Sequence, residues 1–361
     1  MSEHTVAPRS ILVLNPDIPI ASLNAGSLRL IRIIKHMVAD GHRVRLMSRI
    51  GTGRPEGLQE LYALGIPVEV LDPERYFEHC GQEFPGPTLA QVLRRMRPDV
   101  VWCSFFSSAE WAIPIVRRHA PGSRVVIDTV DVHSLRERRR AELTGDPADL
   151  ATAQETERRE RAIYPQADAL VAVSDEDGAA LRELAPEVPV HVLSIVQEPQ
   201  PLGPGFAERR DAVFVGSYTH APNADAAEFL AREVWPLVLR DLPGTRLHLV
   251  GSDPPRELQA LADEHIRVVG WVPDTRPHLD AARVSVAALR FGAGVKGKVA
   301  EAMACGLPTA TTTVAAEGLD LTDQVDTLLA DDPAAIAHAI VRLCTDERLW
   351  TTLRHNAHTH V

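Results

Sequence analysis

Short apolar runs alternate with amphipathic helical stretches along most of the chain, and this alternation most restricts the fold that the chain can adopt. In the first half the runs include ILVLN (11–15), DVVWCS (99–104) and ALVAVS (169–174), with helical patterns between them. Buried strands that are separated by helices are typical of parallel βαβ units in a doubly wound sheet. The pattern therefore predicts an α/β fold.

The alternation is interrupted once, over residues 197–210, where proline and glycine are frequent. Both residues disfavour regular structure, so we interpret this stretch as a linker. The alternation then resumes with the strand-like DAVFVGS. We expect two tandem Rossmann-like domains, over 1–196 and 211–345, that face each other across a cleft, followed by a C-terminal helix over 346–361. Ligands of such sheets bind beyond the carboxyl ends of the strands, so the cleft is the expected site.

Composition narrows the possible functions. The net charge of -11 argues against a general nucleic-acid binder, which normally shows a basic surface. The cysteines Cys80, Cys103, Cys305 and Cys344 lie far apart without metal-ligand spacing, which favours reduced thiols and no metal site. The polar first residues do not resemble a secretory signal, and no apolar run approaches the roughly 20 residues of a membrane span. We expect a cytoplasmic protein.

The stretch FGAGVKGKVAEAMACGL (291–307) carries the strongest indication of chemistry. A glycine-rich loop that leads into a helix presents backbone N–H groups to a phosphate, and Lys296 and Lys298 add positive charge. Glu301 repels phosphate but is suited to accept hydrogen bonds from the vicinal hydroxyls of a ribose. A nucleotide site is one interpretation. The alternatives are a surface helix with a Lys298–Glu301 pair and, for Lys296, a solvated position at the edge of the loop.

Two stretches of the first half are weaker candidates. Gly26 precedes a predicted helix at 27–40 and allows an anion to approach its N-terminus, although a plain capped helix explains the same residues. The basic side of this helix permits contact with anionic lipid. The favoured interpretation is a helix whose apolar side faces the core and whose basic side faces solvent. Asp131 and His133 follow a predicted strand, and His133 is either structural or a proton carrier.

A long helix is predicted from about 133 to 162. Its arginines after His133 and its later acids, Glu155, Glu157 and Glu160, are interpreted as a solvated charged face.

Taken together, these residues resemble the family-4 retaining glycosyltransferases, which have the GT-B fold. The resemblance covers nearly the whole chain and is most specific in GAGVKGKVAEAMACGLPTATTTVAAEGL (292–319). FVGSYTHAPNADAAEFLAREVWP (214–236) and LHLVGSDPP (247–255) resemble the C-terminal domain around it. AGSLRLIRIIKHMVADGHRV (25–44) and DTVDVHSLRERR (128–139) resemble acceptor-side elements.

The resemblance, together with the chemistry of the residues themselves, predicts roles for individual residues. Donor-binding residues are Gly26, Ser217, Gly270, Trp271, Val272, Gly294, Val295 and Glu301. Catalytic residues are His133, Lys296 and Lys298, and acceptor-side residues are Asn24, Arg29 and Asp131.

The sequence also departs from the family pattern. Ala293 stands where the first glutamate of an E-x7-E motif is expected, which leaves the contacts of the donor sugar open. Ser217 and Asn223 stand where many relatives carry cations, and Lys298 is the better candidate to replace them. The chain ends inside a helix that in this fold usually crosses back to the N-terminal domain.

The expected function is retaining transfer of a sugar from a nucleotide-diphosphate sugar to a glycan, lipid-linked or small-molecule acceptor. No cofactor or metal is expected, because the lysines supply the positive charge. The alternatives are a nucleotide-sugar epimerase of the same fold, a catalytically silent protein that binds a nucleotide sugar, and an NAD-dependent oxidoreductase. The last lacks the GxGxxG fingerprint after the first strand of either domain.

Overall fold

A computed structural model describes residues 7–21, 24–50, 55–72, 88–195 and 197–361. The chain forms two compact units. The first comprises Met1–Ser134 and Ala151–Ser194, and the second comprises Leu135–Leu150 and Ile195–Val361. The α/β class and the two Rossmann-like domains are confirmed. No helix in the described part of the chain has the length and apolar character needed to cross a membrane.

The first unit is built on a parallel sheet with the strand order β3-β2-β1-β4-β5-β6-β7. Its strands are β1 (Ser10–Asp17), β2 (Arg43–Ile50), β3 (Val68–Asp72), β4 (Val100–Ser104), β5 (Arg124–Asp128), β6 (Ala169–Ala172) and β7 (Val190–Val192). Leu12 and Val13 of the interior strand β1 are fully buried, because helices cover both faces of such a sheet.

The helices between these strands are α1 (Ala25–Ala39), α2 (Pro55–Ala63), α3 (Leu89–Met96), α4 (Phe106–His119), α5 (His133–Thr144), α6 (Pro147–Ile163) and α7 (Asp175–Leu184). Leu30, Ile31 and Ile34 of α1 are buried, which confirms its core-facing side. The long helix predicted from about 133 to 162 is wrong, because the chain turns at Gly145 with φ +65. Left-handed backbone of this kind ends helices.

The second unit has a parallel sheet with the order β10-β9-β8-β11-β12-β13. Its strands are β8 (Arg210–Val215), β9 (Leu247–Val250), β10 (Ile266–Gly270), β11 (Ala282–Ala287), β12 (Thr309–Thr311) and β13 (Leu328–Leu329). Its helices are α8 (Ala221–Phe229), α9 (Trp235–Asp241), α10 (Arg256–Gln259), α11 (Arg276–Ala281), α12 (Gly297–Ala304), α13 (Thr313–Ala316), α14 (Pro333–Thr345) and α15 (Glu347–His360).

The helical region between β8 and β9 consists of α8, a π-helical segment over Leu230–Val234, and α9. Pro236 follows the segment closely, and a proline cannot donate the backbone hydrogen bond that a regular α-helix needs at this point.

The proline-rich stretch around residue 204 lacks strand and α-helix but is held by arginines. Arg354 donates to the carbonyls of Gly203 at 2.5 Å and Pro204 at 2.7 Å. The fully buried Arg209 donates to the Pro204 carbonyl at 2.8 Å. Burial lowers the pKa of Arg209 to about 10, with partial compensation from the Asp280 charge. Side-chain cations thus satisfy the carbonyls that regular structure leaves unpaired.

Candidate functional site

In the second unit, loops after neighbouring strands meet at the carboxyl edge of the sheet. The loop after β8 contacts the loop after β9, because Tyr218 N donates to Ser252 O at 3.0 Å and Ser252 Oγ donates to Ser217 Oγ at 2.9 Å. The β9 loop in turn joins the end of β10, since Gly251 N donates to Gly270 O at 2.8 Å. Side chains from separate parts of the sequence are therefore gathered at one edge.

Two glycines allow these loops to approach each other closely. A Cβ on Gly251, whose φ is +155, would lie only 1.8 Å from the Gly216 carbonyl oxygen. A Cβ on Gly216 would lie 2.9 Å from the Asn223 amide and 3.0 Å from Lys298 Nζ. Gly251 therefore needs glycine, because the clash is with backbone, whereas a Cβ on Gly216 would displace the ends of two side chains, one of them a predicted catalytic lysine.

Lys298 lies in the first turn of α12 and points back toward the β8 loop. Its ammonium donates to Asn223 Oδ1 and lies 4.7 Å from the centre of the Phe214 ring. The Asn223 amide is oriented by its own bond to Ser217 O at 2.8 Å. Burial, and then the charge of Lys296, lower the pKa of Lys298 to about 7. An anionic ligand beside this group would favour its charged form.

Lys296 is only 7% exposed, so the solvated position considered for it is wrong. Its ammonium donates to the Gly294 carbonyl at 2.7 Å and lies 3.5 Å from Glu317 Oε2. The side chain thus folds back on the glycine-rich loop. This geometry favours a role in shaping the loop over direct contact with a ligand.

Two residues that sequence reasoning missed fix the same loop. Arg139 of α5 binds Glu317 through two nitrogens, with distances of 2.7 and 2.8 Å, and donates to the Gly292 carbonyl at 2.6 Å. Glu317 Oε2 therefore faces both Arg139 and Lys296. Arg139 stands in a run of arginines without any distinguishing pattern, whereas Glu317 lies within the segment of strongest family resemblance.

Glu301 and the end of β10 provide groups of a different kind. Thr275 Oγ1 donates to Glu301 Oε1, which orients the carboxylate on α12. Gly270 has φ +81, and the side chain of the following Trp271 is a large exposed hydrophobic surface, 44% accessible. Val272 packs against a small buried apolar cluster. An aromatic face and an oriented carboxylate are thus available at this edge.

In the first unit, strained backbone surrounds His133. Phe105 and Val130 have φ of +67 and +62, which a bulky and a β-branched residue rarely adopt. The ring of His133 lies edge-on to Phe106 at 5.1 Å and tilted to Phe105 at 5.9 Å. Its Nε2 is 3.1 Å from Asp131 Oδ1. Strained backbone of this kind often accompanies functional sites. The contacts with the two phenylalanine rings and with Asp131 hold His133 in a defined orientation.

Glu160 was predicted on a solvated face, and this is wrong, because it is fully buried. Its carboxylate accepts hydrogen bonds from His133 N at 3.0 Å and from the Tyr164 hydroxyl at 3.0 Å, and also from Ser134. Burial raises the pKa of Glu160 despite these bonds. The residue caps the start of α5, which satisfies N–H groups that would otherwise be available to a ligand. Of the other acids, Glu155 pairs with Arg158 on the exposed face, as predicted, and the half-buried Glu157 pairs with the exposed Arg161.

Two predicted acceptor-side residues, Asn24 and Arg29, make structural contacts at the start of α1. Arg29 is buried, with Nη1 2.7 Å from Asp128 Oδ2 and Nη2 donating to Leu193 O at 2.8 Å. This favours a structural role over contact with an acceptor. Asn24 Oδ1 caps the helix by accepting from Ser27 N at 2.8 Å. A Cβ on Gly26 would lie 3.4 Å from Asn24 Oδ1 and 3.5 Å from Val130, so packing alone does not require glycine there.

The three described cysteines, Cys103, Cys305 and Cys344, are buried and free, and Cys80 lies outside the described residues. Within the ranges that the structure describes, no group of three or more His, Cys, Asp or Glu is arranged to hold a metal ion.

Comparisons with known proteins agree with this architecture. Residues 27–195 match the family model of the glycosyl transferase 4-like domain, and residues 209–346 match that of the glycosyl transferases group 1. No curated protein sequence matches the chain significantly.

Solved structures show the same fold at low sequence identity, which confirms the expected GT-B fold. HepE of Anabaena, crystallised with UDP and glucose, has a TM-score of 0.70 and 16% identity over 97% of this chain and 94% of that one. Sucrose-phosphate synthase of Thermosynechococcus elongatus has a TM-score of 0.73 and 16% identity over 98% and 94%. A mutant of S. aureus TarM, in complex with fondaparinux, alpha-GlcNAc-glycerol and UDP, has a TM-score of 0.74 and 8% identity over 98% and 96%. With a glycosyltransferase domain matched in each half, the chain belongs to the group 1 glycosyltransferases.

Proposed function

We propose that the protein is a retaining glycosyltransferase that uses a nucleotide-diphosphate sugar and needs no metal ion. The observation that carries the proposal is the position of Lys298. This lysine has a lowered pKa and lies beside the glycine-rich loop at the carboxyl edge of the second sheet. UDP is the first nucleotide to test, because the HepE and TarM structures contain it. We retain the cytoplasmic location predicted from the sequence.

Different groups at the carboxyl edge of the second sheet bind the base, the ribose and the diphosphate of the nucleotide. The exposed face of Trp271, beside the backbone of Gly270 and Val272, offers a surface for the base. Glu301 accepts hydrogen bonds from the ribose hydroxyls, with Thr275 holding its orientation. Lys298 and the amides around Gly294 and Val295 face the diphosphate.

Departure of the diphosphate is the step that needs the cation. Negative charge increases on the β-phosphate as the bond from the sugar C1 to its oxygen breaks, and a pre-positioned ammonium stabilises that charge. In the retaining reaction the acceptor oxygen forms its bond to C1 on the same face, and the leaving phosphate oxygen takes the acceptor's proton. No second carboxylate of the glycosidase type is then required. His133 is assigned to the transferred sugar.

Binding of UDP tests the nucleotide part of this proposal. Glu301→Ala should weaken binding by roughly 1.5–3 kcal/mol, the usual contribution of hydrogen bonds to a charged group, measured by titration calorimetry. Glu257→Ala, which removes an exposed carboxylate of α10, is the matched control and should bind as the wild type does. Equal affinity of wild type and Glu301→Ala would remove the ribose assignment.

The reaction itself is tested with UDP-sugars and a panel of sugar and lipid acceptors. The anomeric configuration of the product, read by NMR, should match that of the donor. An inverted product would contradict the retaining mechanism. Conversion of the sugar without any acceptor would instead support the epimerase alternative.

A further inference from the structure

A cavity of about 240 Å³ lies in the second unit beside the predicted phosphate site. Its walls come from the part of α5 that belongs to the second unit, from the start of α8 and from Phe291, the residue that precedes the glycine-rich loop. The α8 wall is the segment 219–222, which directly joins Ser217 and Asn223. Asn223 holds Lys298, so a group attached to a phosphate at Lys298 is next to the cavity.

Side-chain hydrogen bonds connect the elements that form the walls. Arg139 of α5 donates to the carbonyl of Gly292, one residue after Phe291. On the other side, Arg290, the residue before Phe291, donates to the Asp225 carboxylate of α8 through two nitrogens, at 2.9 and 2.5 Å. The cavity is therefore bounded by elements that are connected to each other, and its size is not set by one mobile side chain.

The α5 wall consists of Arg136, Glu137 and Arg140, which share one side of the helix because of their spacing. Glu137 also follows His133 by one helical turn. Glu137 Oε2 is buried and has no hydrogen-bond partner among the described residues. A buried carboxylate oxygen without a donor is costly, and the group that satisfies it must carry an N–H or O–H.

The mixture of groups identifies the class of ligand. A carboxylate that accepts and guanidinium groups that donate suit a molecule whose hydroxyls do both. Phe291 and Pro222 add apolar surface. The volume of about 240 Å³ is below the range of roughly 300–1,000 Å³ for drug-sized ligands, so one ring fits better than a chain.

We propose that this cavity is a monosaccharide subsite in which Glu137 accepts a hydrogen bond from a sugar hydroxyl. The inference rests on the proposed function and deepens it, because it names the residue that reads the sugar. The sugar is either that of the donor or the terminal sugar of the acceptor, and either one presents hydroxyls that can donate to a carboxylate.

The test compares Glu137→Gln with wild type in three titrations. The ligands are UDP alone, the UDP-sugars of glucose, galactose and N-acetylglucosamine, and the corresponding free monosaccharides with and without UDP. Glu142→Gln, an exposed carboxylate on the same helix, is the matched control. Loss of one hydrogen bond to a charged group corresponds to a decrease in affinity of about tenfold or more.

If Glu137→Gln binds a UDP-sugar more weakly than the wild type does but binds UDP equally well, the sugar in the cavity is that of the donor. Weaker binding of a free monosaccharide identifies the acceptor sugar. If Glu137→Gln binds every sugar as the wild type does, or if the wild type binds none, the subsite is overturned. Failure of the proposed function is a separate result, because it appears as wild-type protein that does not bind UDP.

Discussion

Arg139 and Glu317, 178 residues apart in the chain, form a two-point ion pair in which Nη1 donates to Oε2 and Nη2 donates to Oε1. The same carboxylate faces the ammonium of Lys296, and the same guanidinium holds the Gly292 carbonyl. The glycine-rich loop is thus restrained at its first residue and again at Lys296. Glycine gives this loop its shape, and the charged groups limit its freedom.

Glu317→Gln should lower both the affinity for UDP and the stability of the protein. The amide keeps the size of the carboxylate but leaves two partly buried cations without a counter-charge, which costs about 1–3 kcal/mol. Chemical denaturation and calorimetry measure the two effects. Glu228→Gln makes the same change in the exposed pair with Arg232 and should cost only about 0.3–0.5 kcal/mol. Equal effects of the two variants would show that the Glu317 pair contributes no more than a surface contact.

Gly216→Ala should weaken UDP binding while the protein still folds. The added methyl group meets the ends of the Asn223 and Lys298 side chains at 2.9 and 3.0 Å, and both must move away. Displacement of the ammonium from its hydrogen-bonded position is expected to reduce affinity by about tenfold. Gly244→Ala is the control, because a Cβ there meets nothing within 4 Å. Wild-type affinity in Gly216→Ala would separate Lys298 from the binding site.

Lys298→Met should stabilise the protein, and more at pH 6 than at pH 9. The pKa of Lys298 is about 7 in the folded protein and about 10.4 in an unfolded chain. Between these values the unfolded chain keeps a proton that the folded protein has released, so stability increases with pH in this window. Below pH 7 the full cost of the buried charge is present, and methionine removes it.

Urea denaturation at pH 6 and 9 measures this difference. Lys35→Met is the control, since the ammonium of Lys35 is 46% exposed beside Glu60 and its loss should change stability little at either pH. A Lys298→Met variant that is less stable than wild type at pH 6 would contradict the unfavourable burial of the charge.

The sequence predicted the parts of this fold that depend on local pattern. Apolar runs identified both parallel sheets, because a strand buried on both faces reads as a continuous apolar stretch. The glycine-rich loop and the start of α12 were also predicted, since glycine, lysine and helix-forming residues follow one another there. β13, with only two residues, is too short to give a pattern.

The relationships that the sequence did not reveal all depend on tertiary neighbours. Glu160 reads as one acid of a charged helix, and only the fold shows that it turns inward to cap α5. Glu137 and Arg139 stand in the run RERRR, where nothing local distinguishes the residue that faces a cavity from the one that holds a loop. The positive φ of Val130 goes against the local preference of a β-branched residue, so no propensity rule predicts it.

Binding of UDP should be accompanied by proton uptake above pH 7. The ammonium of Lys298 is largely discharged there, and the diphosphate raises its pKa by favouring the charged form. Affinity should therefore decrease as the pH rises from 7.5 to 9, a range above the phosphate's own pKa of about 6. Calorimetry in two buffers with different ionisation enthalpies counts the protons. Uptake that persists in Lys298→Met would assign the titrating group to another residue.

His133→Ala should abolish most of the turnover while leaving UDP binding and folding nearly intact. The hydrogen bond from the backbone of residue 133 to Glu160 survives the change, because alanine keeps the N–H. Loss of the ring contacts with Phe105 and Phe106 is expected to cost about 0.5–1.5 kcal/mol beyond the lost burial.

Asp131→Asn, which leaves the ring of His133 but alters the group 3.1 Å from its Nε2, should reduce turnover of the best UDP-sugar without weakening its binding. His355→Ala, an exposed histidine on α15, is the control for loss of an imidazole. Normal turnover in both His133→Ala and Asp131→Asn would return this pair to a purely structural role.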